Sequence, residues 1–146
     1  MRGALLFAAG LLAGMVIHQG MAQNSNTVAT VMMNHVGISV PNIDEAVAYY
    51  TQKLGYREAF RLNDKNGRPR IVYLHISKNT FLELNPVAPG GRVGFSHYGL
   101  VVGNAAQAVA RFRRSGLTVT DPVTSDTRAV IANITDPYMG RIELVE

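Results

Sequence analysis

The feature that most restricts this chain is that it repeats itself. The segment HVGISVPNIDEAVAYY from His35 aligns without a gap on HYGLVVGNAAQAVARF from His97, 62 residues further on. His35/His97, Gly37/Gly99, Val40/Val102, Asn42/Asn104, Ala46/Ala108, Val47/Val109 and Ala48/Ala110 are identical, and Ile38/Leu100 and Tyr50/Phe112 are conservative pairs. Further on, FLELN at Phe81–Asn85 aligns with RIELV at Arg141–Val145 at a shift of 60, which sets Glu83 opposite Glu143. Self-similarity on this scale means one supersecondary unit used twice, so any fold must be assembled from two equivalent modules.

Each module reads as the same order of elements. Residues 34–40 alternate, with Val36, Ile38 and Val40 on one side and His35, Gly37 and Ser39 on the other, the period of a strand with two unlike faces. Pro41 ends that strand. Asn42 or Asp44 can cap a helix over 43–54, in which Ile43, Ala46, Val47, Tyr50 and Leu54 recur at three- and four-residue spacing until Gly55 closes it. Strands are predicted at 56–62, 70–77 and 80–86, separated by the turn-forming residues 63–67 and 78–79. The second half predicts strands near 96–102, 117–120, 128–134 and 141–145 and a helix over 104–115. The expected fold is therefore α+β: two βαβββ modules, 34–88 and 95–146, building one mixed, concave eight-stranded sheet, with Gly90, Gly91 and Gly94 in the linker.

Alternation also sorts side chains by face. If Val36, Ile38, Val40, Leu82, Leu84, Leu100, Val102, Ile142 and Leu144 pack beneath the helices, then His35, Glu83, His97 and Glu143 all point to the opposite, concave side. A carboxylate inside an apolar strand is costly unless paired or metal-bound. Two imidazoles and two carboxylates on one face form a ligand set for a first-row divalent ion. The chain has no cysteine, which excludes disulfides, a thiolate nucleophile and Cys-based zinc or iron–sulfur sites, so any metal must sit on nitrogen and oxygen ligands. Along the third strand, Val72, Leu74 and Ile76 suit the helix side. That leaves Tyr73 and His75 on the concave side as substrate-facing residues, where the second module has Ile131 and Asn133. Arg61, Arg70, Arg92 and Arg141 could meet an anionic substrate at the rim, and Arg141 is singled out because it follows the phase of the ligand Glu143.

The strands HVGISV and HYGLVV, each opening a βαβββ module, and the closing DPYMGRIEL from Asp136 resemble the vicinal oxygen chelate superfamily. That group includes glyoxalase I, methylmalonyl-CoA epimerase, fosfomycin and bleomycin resistance proteins and extradiol dioxygenases. The resemblance covers the chain beyond its first residues and implies a glyoxalase-like fold, with ligands on the first and last strands of each module: His35, Glu83, His97 and Glu143. This His/Glu/His/Glu set is similar to that of bacterial glyoxalase I. It implies one divalent ion per site (nickel, cobalt, zinc, iron or manganese), two open positions for neighbouring substrate oxygens, and lyase or isomerase chemistry that stabilises an enediolate. Glu143 or Glu83 would be the catalytic base, and the sequence leaves open which. An extradiol-type dioxygenase using His35, His97 and Glu143, and a small-molecule-binding module without catalysis, are the alternatives.

The first residues read differently from the rest. Arg2 precedes the apolar run 4–17, and Gly20 and Ala22 lie three and one positions before a possible cut ahead of Gln23, the layout of a secretory signal peptide over 1–22. The apolar run is shorter than the ~20 residues needed to span a bilayer, so no stable membrane span is expected after cleavage. Residues 23–30 read as a flexible lead-in to a domain over 31–146. Export to the periplasm or exterior is the expected localisation, and it argues against a cytoplasmic glutathione adduct as substrate. Cleavage would leave 13 basic and 10 acidic residues, a net charge of +3. The one basic cluster, Arg111, Arg113 and Arg114, falls on a helix face without a recognition motif, so a small molecule rather than nucleic acid is the expected partner. A homodimer is expected from the small domain size, with metal sites either within one chain or shared between two.

Overall fold

The computed structural model describes residues 31–146, and the leader and lead-in expected over 1–30 lie outside the described residues. The elements are β1 (Met32–Val40), α1 (Ile43–Leu54), β2 (Arg57–Asn63), β3 (Pro69–Ser77), β4 (Thr80–Pro86), β5 (Gly94–Val101), α2 (Ala105–Arg114), β6 (Val123–Thr124), β7 (Val130–Asp136) and β8 (Gly140–Val145). This is βαβββ twice. None of the helices among the described residues is long and apolar enough to cross a membrane.

Local chemistry fixes the helix ends in both modules. Asn42 accepts the N–H groups of Asp44 and Glu45 at 3.0 and 3.2 Å, and Asn104 accepts that of Gln107 at 2.9 Å. At the other end Gly55 and Gly116 take the left-handed conformation, which lets the next residue reach back to the helix. Tyr56 N–H bonds Tyr50 O at 3.2 Å, and Leu117 N–H bonds Phe112 O at 3.1 Å.

All strands form one sheet in the order β2-β3-β4-β1-β5-β8-β7-β6. Within each module the first and last strands are parallel neighbours, β1 with β4 and β5 with β8. The modules join along the antiparallel β1–β5 seam, where His35 lies opposite Gly99 and Gly37 opposite His97. Each helix covers its own core. Val40, Ile43, Val72, Leu74, Leu82 and Leu84 pack in the first module, and Val102, Ala105, Ala108, Val109, Val119, Ala132, Ile134 and Leu144 in the second. The alternation is expressed at most of these positions, with three departures: Leu54 and Ile76 are exposed rather than packed, and Val36 is half-buried and joins neither core.

The predicted strand at 117–120 is not formed. Val119 makes only an isolated bridge to Ile134, and the edge strand lies later, at Val123–Thr124. The carbonyl of Val119 is taken by the guanidinium of Arg113 at 2.7 Å, and Thr118 and Thr120 bond β7 individually. Side-chain capture of that carbonyl, followed by Pro122 with no N–H to donate, breaks the ladder where sequence alternation suggested it would run.

Candidate metal centre

The four predicted ligands converge. His35, Glu83, His97 and Glu143 are all buried, and each offers one ligand atom lying within 4.8 Å of the others. β1 and β5 supply the histidines at the middle of the sheet, and their parallel neighbours β4 and β8 supply the glutamates from either side. All four come from one chain. Their separation suits a metal: His35 Nε2 and His97 Nε2 are 2.9 Å apart, His35 Nε2 lies 3.2 Å from Glu83 Oε2 and 3.5 Å from Glu143 Oε2, and His97 Nε2 lies 3.7 Å from Glu83 Oε2. Bonds of about 2.1 Å place adjacent ligands about 3.0 Å apart in an octahedron and about 3.4 Å apart in a tetrahedron.

Gly37 and Gly99, whose role the sequence did not disclose, make this approach possible. A Cβ on Gly37 would overlap the ring of His97, and one on Gly99 the ring of His35. Each imidazole lies over the bare backbone of the strand opposite, so the repeated H-x-G pattern is a reciprocal cradle. Identity of these glycines across the repeat was the available signal, but its meaning required the strand pairing.

The two glutamates sit in unlike surroundings. Glu83 accepts the phenol of Tyr73 at one oxygen and Asn85 Nδ2 at the other, the latter at 2.7 Å. Burial works to raise its pKa, but the adjacent His97 and His35 and the Tyr73 and Asn85 donors outweigh it and hold the carboxyl at about 2. Burial also forces the phenol of Tyr73 upward, keeping it a donor. Glu143 accepts no hydrogen bond from the protein among the described residues. Its pKa is raised, first by burial and then by the charge of Glu83. His35 is lowered to about 4 by burial, with Glu83 opposing and His97 and Arg141 assisting, so its ring is neutral near pH 7 and has a lone pair to give.

A cavity of 260 Å³ opens beside the cluster, lined by residues of both modules that include Tyr73, Glu83, Asn85, Ile131, Arg141 and Glu143. Tyr73 and Arg141 both line it. Asn133 is not among the residues lining the cavity; it lies opposite Glu143 across β7–β8, its Oδ1 buried without a hydrogen-bond partner among the described residues. His75 does not join them. It packs on Phe81 and borders a separate surface depression with Arg57, Glu58 and Lys78, because its position near the end of β3 carries it past the cup. Of the other rim arginines, Arg61 is held by Glu58 and Asp44, and Arg70 by Asp126 at 2.6 Å, a pair that links β3 to the β6–β7 turn across the cavity.

Known proteins share this arrangement of strands. A methylmalonyl-CoA epimerase from Mycobacterium tuberculosis superposes with a TM-score of 0.68 at 21% identity, covering 86% of this chain and 93% of its own. A hypothetical protein from Bacillus halodurans C-125 gives 0.67 at 19% identity, with 80% and 94% covered. Streptomyces coelicolor methylmalonyl-CoA epimerase, in complex with 2-nitronate-propionyl-CoA, gives 0.67 at 18% identity over 78% and 92%. At these identities the likeness is one of fold. A search of curated protein sequences returned no significant relative. Residues 32–144 match the sequence profile of the Glyoxalase/Bleomycin resistance protein/Dioxygenase superfamily, and the chain belongs to that superfamily.

Proposed function

We propose that the protein is an exported, metal-dependent lyase or isomerase that moves a proton at a carbon next to a pair of chelating oxygens on a small substrate. His35, Glu83, His97 and Glu143 would hold one divalent ion, which when bound polarises the substrate oxygens and acidifies the neighbouring C–H. Glu83 is the fixed ligand, since both of its oxygens are engaged by Tyr73 and Asn85. Glu143 is the base. Among the described residues its carboxylate accepts no hydrogen bond; it lines the cavity and has the raised proton affinity that a base working near neutral pH requires. This inequality between two repeat-related glutamates is the observation that carries the reading. Export is supported by the signal-peptide layout of residues 1–22.

An extradiol-type dioxygenase would use His35, His97 and Glu143 alone, and the anchoring of Glu83 beside both histidines speaks against it. The deciding experiment follows solvent deuterium entering hydroxy-carbonyl and 2-acyl acid substrates with zinc-, nickel- or manganese-loaded protein. Glu143→Gln should keep metal and slow exchange by about a thousandfold, in the range lost with a general base. Glu83→Gln should weaken metal binding itself. Full exchange in both variants would refute the mechanism, and saturable uptake with no exchange at any metal loading would reduce the protein to a binding module.

A further inference from the structure

Arg141 stands two residues before Glu143 on β8 and is the sole cation among the residues lining the 260 Å³ cavity. It makes no ion pair with a carboxylate among the described residues, and the other acid of the lining outside the metal cluster, Asp126, is already engaged by Arg70. Instead, Arg141 Nη2 donates to Nδ1 of His97 at 2.7 Å. A guanidinium only donates, so Nδ1 accepts and the ring proton of His97 lies on Nε2. That proton points to His35 Nε2, 2.9 Å away, and His35 Nδ1–H in turn donates to Asn34 Oδ1 at 2.8 Å. One directed chain therefore runs from Arg141 through both imidazoles to Asn34.

His35 already presents a bare Nε2 to a metal, whereas His97 does not. Ligation through His97 Nε2 requires the other tautomer, whose Nδ1–H can donate to Ser96 Oγ, 2.8 Å away. Nδ1–H and the guanidinium would then be two donors facing each other, which would turn Arg141 from the ring toward the cavity. Two glutamates balance a divalent ion, so the charge of Arg141 would be left without a counterpart among the described residues.

We propose that Arg141 is the receptor for a substrate carboxylate, and that the cup takes a small acid bearing one carboxylate beyond the oxygen pair that meets the metal. The inference rests on the metal-centre reading above. The planar fork of a guanidinium matches a carboxylate in a bidentate pair, and a single unpaired cation suits one such group rather than a multiply charged phosphate.

The test compares malate, whose hydroxyl and C1 carboxylate can chelate while C4 stays free, with its C4 monoamide. Calorimetry on zinc-loaded protein should give malate about a tenfold advantage, on the scale of a charge-assisted hydrogen bond. Arg141→Gln should abolish that preference while leaving zinc affinity within about threefold, and Arg141→Lys should retain part of it. Equal binding of the two ligands by the parent protein, or a preference that survives in Arg141→Gln, overturns the proposal. Metal titration of the parent is read separately: if zinc, nickel and manganese all fail to bind, the metal-centre reading falls. The Arg141 Nε–H resonance of the metal-free protein then decides, since a shift with malate and not with its uncharged diamide supports carboxylate capture, and a shift with both or with neither overturns it.

Discussion

Gly37 and Gly99 hold open the space in which two imidazoles meet, so the smallest side chains at the centre are the ones that cannot grow. Gly37→Ala or Gly99→Ala should cost about 1–3 kcal/mol through overpacking and should displace the ring of the facing histidine, lowering metal affinity more than a stability loss alone explains. Circular dichroism melts alongside zinc titration will check this. Protons at the same cluster set the acid stability of the zinc-free protein. The His35 ring titrates near 6.5 when unfolded and about 4 when folded, so as pH drops between those values the unfolded chain gains a proton that the folded chain refuses. Stability should fall across that window by up to roughly 3 kcal/mol. Glu83, held at about 2, extends the loss below pH 4.5, while Glu143, raised, works in the opposite sense, and its share is lost as pH climbs through its folded value. Denaturant midpoints from pH 7 to pH 4 that do not move would contradict the assignment for His35. That the four candidate ligands share one face was legible, because strand alternation in apolar segments assigns a polar residue to one face without ambiguity. The inequality of Glu83 and Glu143 was not, since it depends on Tyr73 and Asn85 and on what Glu143 lacks.

At the scale of elements, helices were read most closely because their ends are written in short-range chemistry. Asn42→Ala should cost about 1 kcal/mol, as loss of an N-cap does, and should leave metal binding unchanged, measured by urea denaturation and zinc titration. Strands were read less well where a tertiary contact intervened. Capture of the Val119 carbonyl by Arg113 bridges six residues, and alternation alone does not encode it. The same limit misplaced His75: face is fixed by parity along β3, but distance from the centre depends on how far the strand runs past it.

At the scale of the molecule, the repeat implied two equal modules but left open whether one chain or two would complete a site. Pairing of β1 with β5 brings all four candidate ligands together within a single chain. Metal stoichiometry and affinity should therefore stay constant when the protein is diluted below any dimer dissociation, as followed by competition with a chromogenic chelator. An affinity that weakens on dilution would point to ligands supplied by a partner.

The seam also dictates when the centre can appear as the chain folds. Each histidine meets its parallel glutamate partner only after most of a module has been threaded, and the two halves meet only after β5 finds β1. Contacts this distant along the chain are closed late, since their loop entropy must be met before they contribute. A centre assembled after the rate-limiting step stabilises the native state but not the barrier leading to it. Zinc should accordingly slow unfolding by roughly the full binding factor while leaving the refolding rate nearly unchanged, so that the occupied protein persists because it is slow to open, not because it is quick to form.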